Sequence, residues 1–410
     1  MKSLKAVKIL KYVSIGLVCL FALEFIYFGI KMINIRKKTT YYSALNSIIK
    51  TDSGYVGVGL SDSKHSDFID YEKPGYNKPY LYVYNKDLKI EKEVKLDLGY
   101  NGEYKDIVSY DDGFIAVGNI EVSLANHKDN ATEATIVKYD KNFNIVWRKN
   151  YNLMGNSSYN AVKIDNDSNI IVCGSTVFES SAIGYDTKGG ALLTKYDKDG
   201  EKLLEVTKGG PLSSATFNDV VVLDDGYIAV GVTQKGTGIV YKYDKDFNEV
   251  WHNYYGYTDK EGITSITKID DNNFIMTASH LFEKDKTDKY EAAIIKINGD
   301  GEIEKEVTFS HDDISKFKDS VYLDDKIVVA GVFGKKEENV LNASGLLVTY
   351  DINLEKIEEK FYTKNKTYSF TKIINDDGKY LAIGNTNSKI NNKYLKTNGL
   401  DFYPVIEKEA

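Results

Sequence analysis

Five histidines, His65, His127, His252, His280 and His311, are the side chains of this 410-residue sequence best suited by type to proton transfer or metal binding. No two of them stand in an HxH or HExxH spacing and no CxxC is present, so nothing local pre-forms a metal site, and no metal ligand is assigned. The acidic runs DKDG (197–200) and NGDG (298–301) supply oxygen atoms but lack the full alternating ligand set of a calcium loop; turn chemistry accounts for them. No GxSxG, phosphate-cradling glycine loop or Ser/His/Asp order occurs, and the carboxylates are too numerous for one pair to be singled out. No catalytic residue and no cofactor is therefore expected, and the chain reads as more plausibly a binder than an enzyme. Of the two cysteines, Cys19 lies in an N-terminal apolar run and Cys173 in the run IIVCG, where it reads as a small buried hydrophobe. The remaining candidates are aromatic. The chain has 32 tyrosines, and those in or beside the links between repeated units, Tyr100, Tyr104, Tyr151, Tyr159, Tyr254, Tyr255, Tyr257, Tyr362 and Tyr368, are the candidate binding-face residues, with packing at the rim as the alternative.

The elements that would carry these residues repeat. The stretch LDDGYIAVG (223–231) nearly copies YDDGFIAVG (110–118), and looser versions start at residues 51, 166, 270, 323 and 376. Their final residues, Gly59, Gly118, Gly174, Gly231, Ala278, Gly331 and Gly384, are spaced 59, 56, 57, 47, 53 and 53 apart. A period near fifty points to a propeller or similar array. A second signature recurs in phase, as in KYDKNFNIVW (138–147) and KYDKDFNEVW (242–251), and each unit then divides into four short strands with Asp, Asn and Gly at the turns. First strands such as Val220 to Leu223 are apolar on both faces, whereas fourth strands such as IEKEVTF (303–309) alternate apolar with charged residues, as an exposed edge requires. The expectation is an all-β, seven-bladed propeller of four-stranded antiparallel blades. The last unit lacks a fourth strand, which INIRKKTTY (33–41) could supply. Short first-to-second and third-to-fourth turns would place every long loop, at 60–80, 119–132, 175–189, 279–290 and 332–344, on one face, where function concentrates.

Residues 12–30 form an apolar run of 19, long enough to cross a bilayer as a helix, with lysines 2, 5, 8 and 11 before it. A poor cleavage site favours an uncleaved anchor over a removed signal peptide. The expected organisation is a basic cytoplasmic tail (1–11), a transmembrane signal-anchor helix (12–31), a juxtamembrane segment and possible closing strand (32–41) and the propeller (42–410), outside a cell membrane that it spans once. Residues 1–38 hold eight of the 53 basic side chains and one of the 60 acidic ones, so the formal charge of −7 conceals a strongly acidic remainder. Such a domain is a poor partner for nucleic acid or anionic lipid.

The motif DDGYIAVG resembles the DGGYIVAG repeats of secreted and envelope propellers of bacteria. The stretch YDKDFNEVW is similar to the quinoprotein-type (PQQ-like) propeller repeat, in which an Asp precedes a Trp by eight positions; here Asp140 to Trp147 and Asp244 to Trp251 are seven apart. The resemblance covers about residues 42–408 and is specific for fold and weak for function, since it embraces quinone-dependent dehydrogenases and non-catalytic assembly lipoproteins. The function it implies is a non-catalytic protein-binding or assembly scaffold in the cell envelope, with an envelope protein as partner. The alternatives are a propeller enzyme of hydrolase, lyase or quinoprotein type and a small-ligand or carbohydrate-binding sensor.

Overall fold

The computed structural model describes residues 43–62, 77–96, 101–122, 131–151, 156–180, 187–209, 214–255, 262–284, 287–337, 340–362, 368–386 and 403–409. The anchor expected at 12–31 and the closing strand expected at 33–41 lie outside these residues. Every described element is a strand.

Four sheets are four-stranded antiparallel meanders. The first holds β1 (Ser43–Thr51), β2 (Gly54–Asp62), β3 (Asn77–Asn85) and β4 (Ile90–Lys95); the second holds β5 (Gly102–Tyr110), β6 (Gly113–Val122), β7 (Ala131–Tyr139) and β8 (Ile145–Tyr151). The third holds β9 (Ser158–Ile164), β10 (Ile170–Ser180), β11 (Thr187–Tyr196) and β12 (Lys202–Lys208); the fourth holds β13 (Ala215–Val222), β14 (Gly226–Thr233), β15 (Gly238–Asp244) and β16 (Glu249–Tyr255). The fifth sheet is eight-stranded: β17 (Ile263–Lys268), β18 (Asn273–Lys284), β19 (Thr287–Asn298), β20 (Ile303–Phe309), β21 (Ile314–Leu323), β22 (Lys326–Glu337), β23 (Val340–Asp351) and β24 (Lys356–Tyr362). The sixth has three described strands, β25 (Tyr368–Asp376), β26 (Lys379–Thr386) and β27 (Tyr403–Lys408).

The expected seven separate four-stranded blades are thus corrected. Five sheets carry four or more strands, one carries three, and among the described residues no helix is long and apolar enough to cross a membrane. The merger in the fifth sheet has a local cause. Only residues 310–313 separate β20 from β21, the shortest such link, and this draws Ile314 into parallel register with Tyr290 and Asp312 into a bridge with Gly334. The loop assignments at 279–290 and 332–344 are corrected too, because β18–β19 and β22–β23 run through them as paired hairpins of twelve-residue strands.

The innermost strands β1, β5, β9, β13, β17, β21 and β25 pack side by side in that order, and β25 returns to β1. Apolar clusters fill the spaces between neighbouring sheets, and the last of them joins Leu45, Ile48 and Tyr55 of the first sheet to Leu381 and Ile383 of the sixth. An all-β propeller follows from this closed succession of sheets. The outer strands β8, β16 and β20 show the alternation read from sequence, ending in a buried Tyr151, Tyr255 or Phe309.

Third-to-fourth turns share one construction. In the fourth sheet, Asp244 Oδ1 accepts the backbone N–H of Asp246 and Asn248 at 2.9 and 2.8 Å, while Phe247 takes a left-handed φ of 64°. Asn85, Asp140, Asp197, Asn298 and Asp351 clamp their turns in the same way, so the leading side-chain oxygen of DKDG and of NGDG is spent on backbone donors. The left-handed position varies in a way that matters between sheets. Where it is Phe143 or Phe247, the ring packs under its own sheet, against Phe114 or Tyr227. Where it is Gly200 or Gly301, a tryptophan from the preceding sheet fills the space: Trp147 Nε1 donates to Lys198 O at 3.2 Å and Trp251 Nε1 to Gly299 O at 3.1 Å. A Cβ at Gly200 would come within 3.0 Å of the Trp147 ring.

Candidate functional site

Each innermost strand carries a β-bulge, at Asn46, Lys105, Asn160, Asn218, Thr264, Lys318 and Thr371. The extra residue turns a polar side chain toward the next strand of the ring. Asn46 Nδ2 donates to Tyr104 O at 2.7 Å, Asn160 Nδ2 to Phe217 O at 2.8 Å and Asn218 Nδ2 to Ile263 O at 2.7 Å. Thr371 Oγ1 donates to Leu45 O at 3.3 Å and so joins the last inner strand to the first.

Three buried carboxylates follow the bulges, Asp106, Asp219 and Asp319, each no more than 5% exposed. Their oxygens accept the backbone N–H of the neighbouring inner strand: Val162 to Asp106 at 3.0 Å, Ile266 to Asp219 at 3.1 Å and Ile373 to Asp319 at 3.0 Å. Ser47 Oγ also donates to Asp106 at 2.6 Å, and Lys163 and Lys372 lie 3.6 Å from Asp219 and Asp319. Burial opposes the charge on Lys372, but Asp319, Asp106 and Asp219 outweigh it and hold the ammonium well above the ordinary lysine range. Burial pushes the carboxyl of Asp319 up, with Lys372 pulling against it. Burial lowers Lys105, which donates to Asn160 Oδ1 at 2.9 Å. This is the chemistry of a latch: each carboxylate is committed to a backbone donor that would otherwise be orphaned at a bulge.

The predicted tyrosines are dispersed. Tyr104 and Tyr159 are fully buried on inner strands, and their hydroxyls pair with those of Tyr139 at 2.7 Å and Tyr196 at 2.6 Å. Tyr151 and Tyr255 are 8% exposed, with hydroxyls on Glu205 and on Gly301 O. Tyr362 is half-buried against Phe370. Tyr254 alone among those with described side chains is open, at 59% exposure, on the outer strand β16. Tyr100 and Tyr257 and the side chain of Tyr368 lie outside the described residues. The four buried tyrosines are core residues, so a continuous face through all nine is not what the fold builds.

Histidines do not converge. His252 stacks on Tyr241 at 5.1 Å and its Nδ1 lies 2.6 Å from Glu249, His280 lies 3.0 Å from Glu306, and His311 packs against Phe333 and Phe361. His65 and His127 are outside the described residues. Among the described residues no three His, Cys, Asp or Glu are grouped to hold a metal. Cys173 is buried, and burial pushes its thiol up, away from reactivity.

Sequence reading missed the bulge residues and the axial carboxylates. Their signal was present: a polar residue stands 13 or 14 positions ahead of each final Gly or Ala of the repeated motif.

The fold and this axial ring define a β-propeller. No family model matches the chain, and no curated protein matches it. Solved structures with a similar fold include a protein of unknown function from Bacteroides caccae, 12% identical, covering 77% of this chain and 96% of that one with a TM-score of 0.45. A lignostilbene dioxygenase from Pseudomonas brassicacearum is 10% identical, covers 85% and 87% and has a TM-score of 0.46. BBS1N in complex with ARL6DN is 9% identical, covers 85% and 89% and has a TM-score of 0.43. Likeness at this level transfers no activity, ligand or partner.

Proposed function

We propose that this propeller is a non-catalytic binding and assembly module of a bacterial cell envelope, held outside the membrane by residues 12–31 as a single uncleaved anchor. The observation that carries the reading is the commitment of Asp106, Asp219 and Asp319 to backbone donors of adjacent strands, which leaves these axial carboxylates as framework and not as acid or base. The apolar run 12–30 with lysines before it supports the anchor, and the resemblance of DDGYIAVG to DGGYIVAG repeats supports the envelope setting. Tyr254, open on β16 with His252 beside it, is the tyrosine assigned to partner contact.

Crosslinking the full chain in native membranes and recovering its neighbours tests the module. One reproducible envelope protein is expected, with reduced recovery for Tyr254→Ala; a wild-type bait that recovers none overturns the assembly reading. Protease added to intact cells should digest the propeller, and protection would place it on the other side of the membrane.

A further inference from the structure

The rim formed by the second-to-third-strand hairpins is uneven. Beyond the final small residue of the repeated motif, β10 continues six residues from Gly174 to Ser180 and β18 six from Ala278 to Lys284, but β14 only two from Gly231 to Thr233. At about 3.3 Å per residue the fourth sheet stops about 13 Å short of its neighbours. Its turn is finished tightly: Thr233 N donates to Thr237 O at 2.9 Å, Thr237 N to Thr233 Oγ1 at 3.1 Å, and Gly236 takes φ 87°. The result is a notch, and beside it lies an open cleft of about 400 Å³ between the third and fourth sheets, a size that suits a small ligand.

Among the described residues no charged side chain lines this cleft, although 28% of the chain is charged. Its polar atoms are hydroxyls and amides. Ser214 Oγ accepts Gly189 N at 3.2 Å, and Asn156 Oδ1 accepts Thr132 N at 2.9 Å, which fixes the Asn156 amide with its Nδ2 donors to spare. Thr176, paired with Ser157 at 2.8 Å, braces the wall behind Ser175. The Ser175 hydroxyl and the Gln234 side-chain amide have no partner among the described residues. Val177 and Val232 add apolar surface. Strand β14 is hydrogen-bonded on both edges, whereas β10 is paired on both edges only as far as Ser175 and from Thr176 to Ser180 pairs with β11 alone, which makes a peptide strand the competing occupant.

We propose that this cleft binds a neutral carbohydrate, one or two sugar units of a larger glycan. A sugar ring presents hydroxyls that both donate and accept, which matches Asn156, Ser175, Ser214 and Gln234, and a C–H face that matches Val177 and Val232. An anionic sugar would meet no cation among the described residues that line the cleft. The proposal is independent of the protein-partner reading, since it concerns a different surface and a different ligand.

Saturation-transfer NMR on the full chain in nanodiscs, with maltose, cellobiose and the N-acetylglucosamine dimer as probes, tests it. At least one of these neutral sugars should receive saturation, and a glucuronate-containing disaccharide should not. Gln234→Ala and Asn156→Ala each should weaken binding about tenfold, the equivalent of one well-made hydrogen bond. Ala215→Trp, which fills the cleft, should abolish binding while the melting temperature, read in parallel, stays near wild type; if that variant unfolds, Ser175→Gln serves in its place. Absence of transfer from all three neutral sugars overturns the proposal. So does transfer that survives in the filled-cleft variant, or stronger binding of a neutral Gly-Ser peptide.

Discussion

Two sheet junctions use the same three side chains and differ in one atom. Between the third and fourth sheets, Asp165 Oδ2 accepts Tyr227 Oη at 2.8 Å and lies 3.3 Å from Lys195 Nζ. Between the sixth and first sheets, Asp376 Oδ2 accepts Tyr55 Oη at 2.8 Å and lies 2.6 Å from Lys408 Nζ. The other oxygen separates them. Asp165 Oδ1 turns back on its own loop, accepting Asp167 N and Asn169 N at 3.0 and 2.8 Å, whereas Asp376 Oδ1 forms an ion pair with Lys50 of the first sheet at 2.8 Å, while Lys50 directs its hydrogen bond to Asp377. The third and fourth sheets follow one another along the chain; the sixth and first do not. Where connectivity already holds two sheets together, one carboxylate oxygen is free to shape a turn, and where it does not, both oxygens are used across the seam. Each Asp also meets a Tyr on the facing strand, whereas Leu223 and Ile269, at the matching position of other units, belong to apolar clusters with Phe274 and Ile327.

The largest expected effect is at the seam. Burial alone would raise Asp376, but Lys408, Lys50 and Tyr55 outweigh it and hold the carboxyl at about 2. A depressed carboxylate contributes stability above its unfolded value, near 3.9, and loses that contribution as pH falls through the folded value; the difference is about 2 kcal/mol. Asp376→Asn should therefore lose about 2 kcal/mol at neutral pH and flatten the acid limb of the stability profile between about pH 4 and pH 2. Hydrogen exchange should show β1 and β25 opening ahead of the other inner strands. Asp165→Asn should lower stability by about 1 kcal/mol without that selective opening. Equal opening in the two variants would erase the distinction drawn between the junctions.

A chain-spanned junction of another kind sharpens the comparison. Trp147 fills the space that Gly200 leaves, with Gly200 at φ 75°. Gly200→Ala adds a side chain to a left-handed residue and a contact against the indole, and should cost about 1–2 kcal/mol in denaturant titration. If Trp147→Leu relieves part of that cost in the double variant, the two positions act as one plug.

Within sheets, the smallest effects are expected. Tyr104 and Tyr139 satisfy each other's hydroxyls, whereas the buried hydroxyls of Tyr84 and Tyr243, with Leu45 and Phe217 at the corresponding inner-strand positions, have no partner among the described residues. Tyr104→Phe should cost about 1 kcal/mol by orphaning Tyr139, with the Tyr104→Phe/Tyr139→Phe pair recovering part of it. Tyr243→Phe should be neutral or slightly stabilising, and a loss comparable to Tyr104→Phe would show that its hydroxyl is satisfied after all.

Strand period, turn chemistry and the gradient from apolar inner strands to charged outer ones were legible because each is written locally, in runs such as YIAVG and IEKEVTF. The number and independence of the sheets was not legible. The merger at Tyr290 and Ile314 depends on a link a few residues shorter than its counterparts, a difference without consequence until the sheets are placed in space. The tyrosines misled for a similar reason: Tyr104 and Tyr159 look like link residues, but bulges one position later turn them inward. The notch over the fourth sheet was visible only as the short spacing, 47 residues, between Gly231 and Ala278.

The final glycine of the repeated motif faces the bulge in its own sheet. A Cβ on Gly59, Gly118, Gly174, Gly231, Gly331 or Gly384 would lie 1.8–2.1 Å from the carbonyl oxygen of the inner strand, and only at Ala278 has the backbone made room for a methyl. A chain built by duplicating one unit can drift at its exposed turns and outer strands with little penalty. At these positions it has almost nowhere to drift, so the glycine should be the last letter by which descendants of a common repeat still recognise one another.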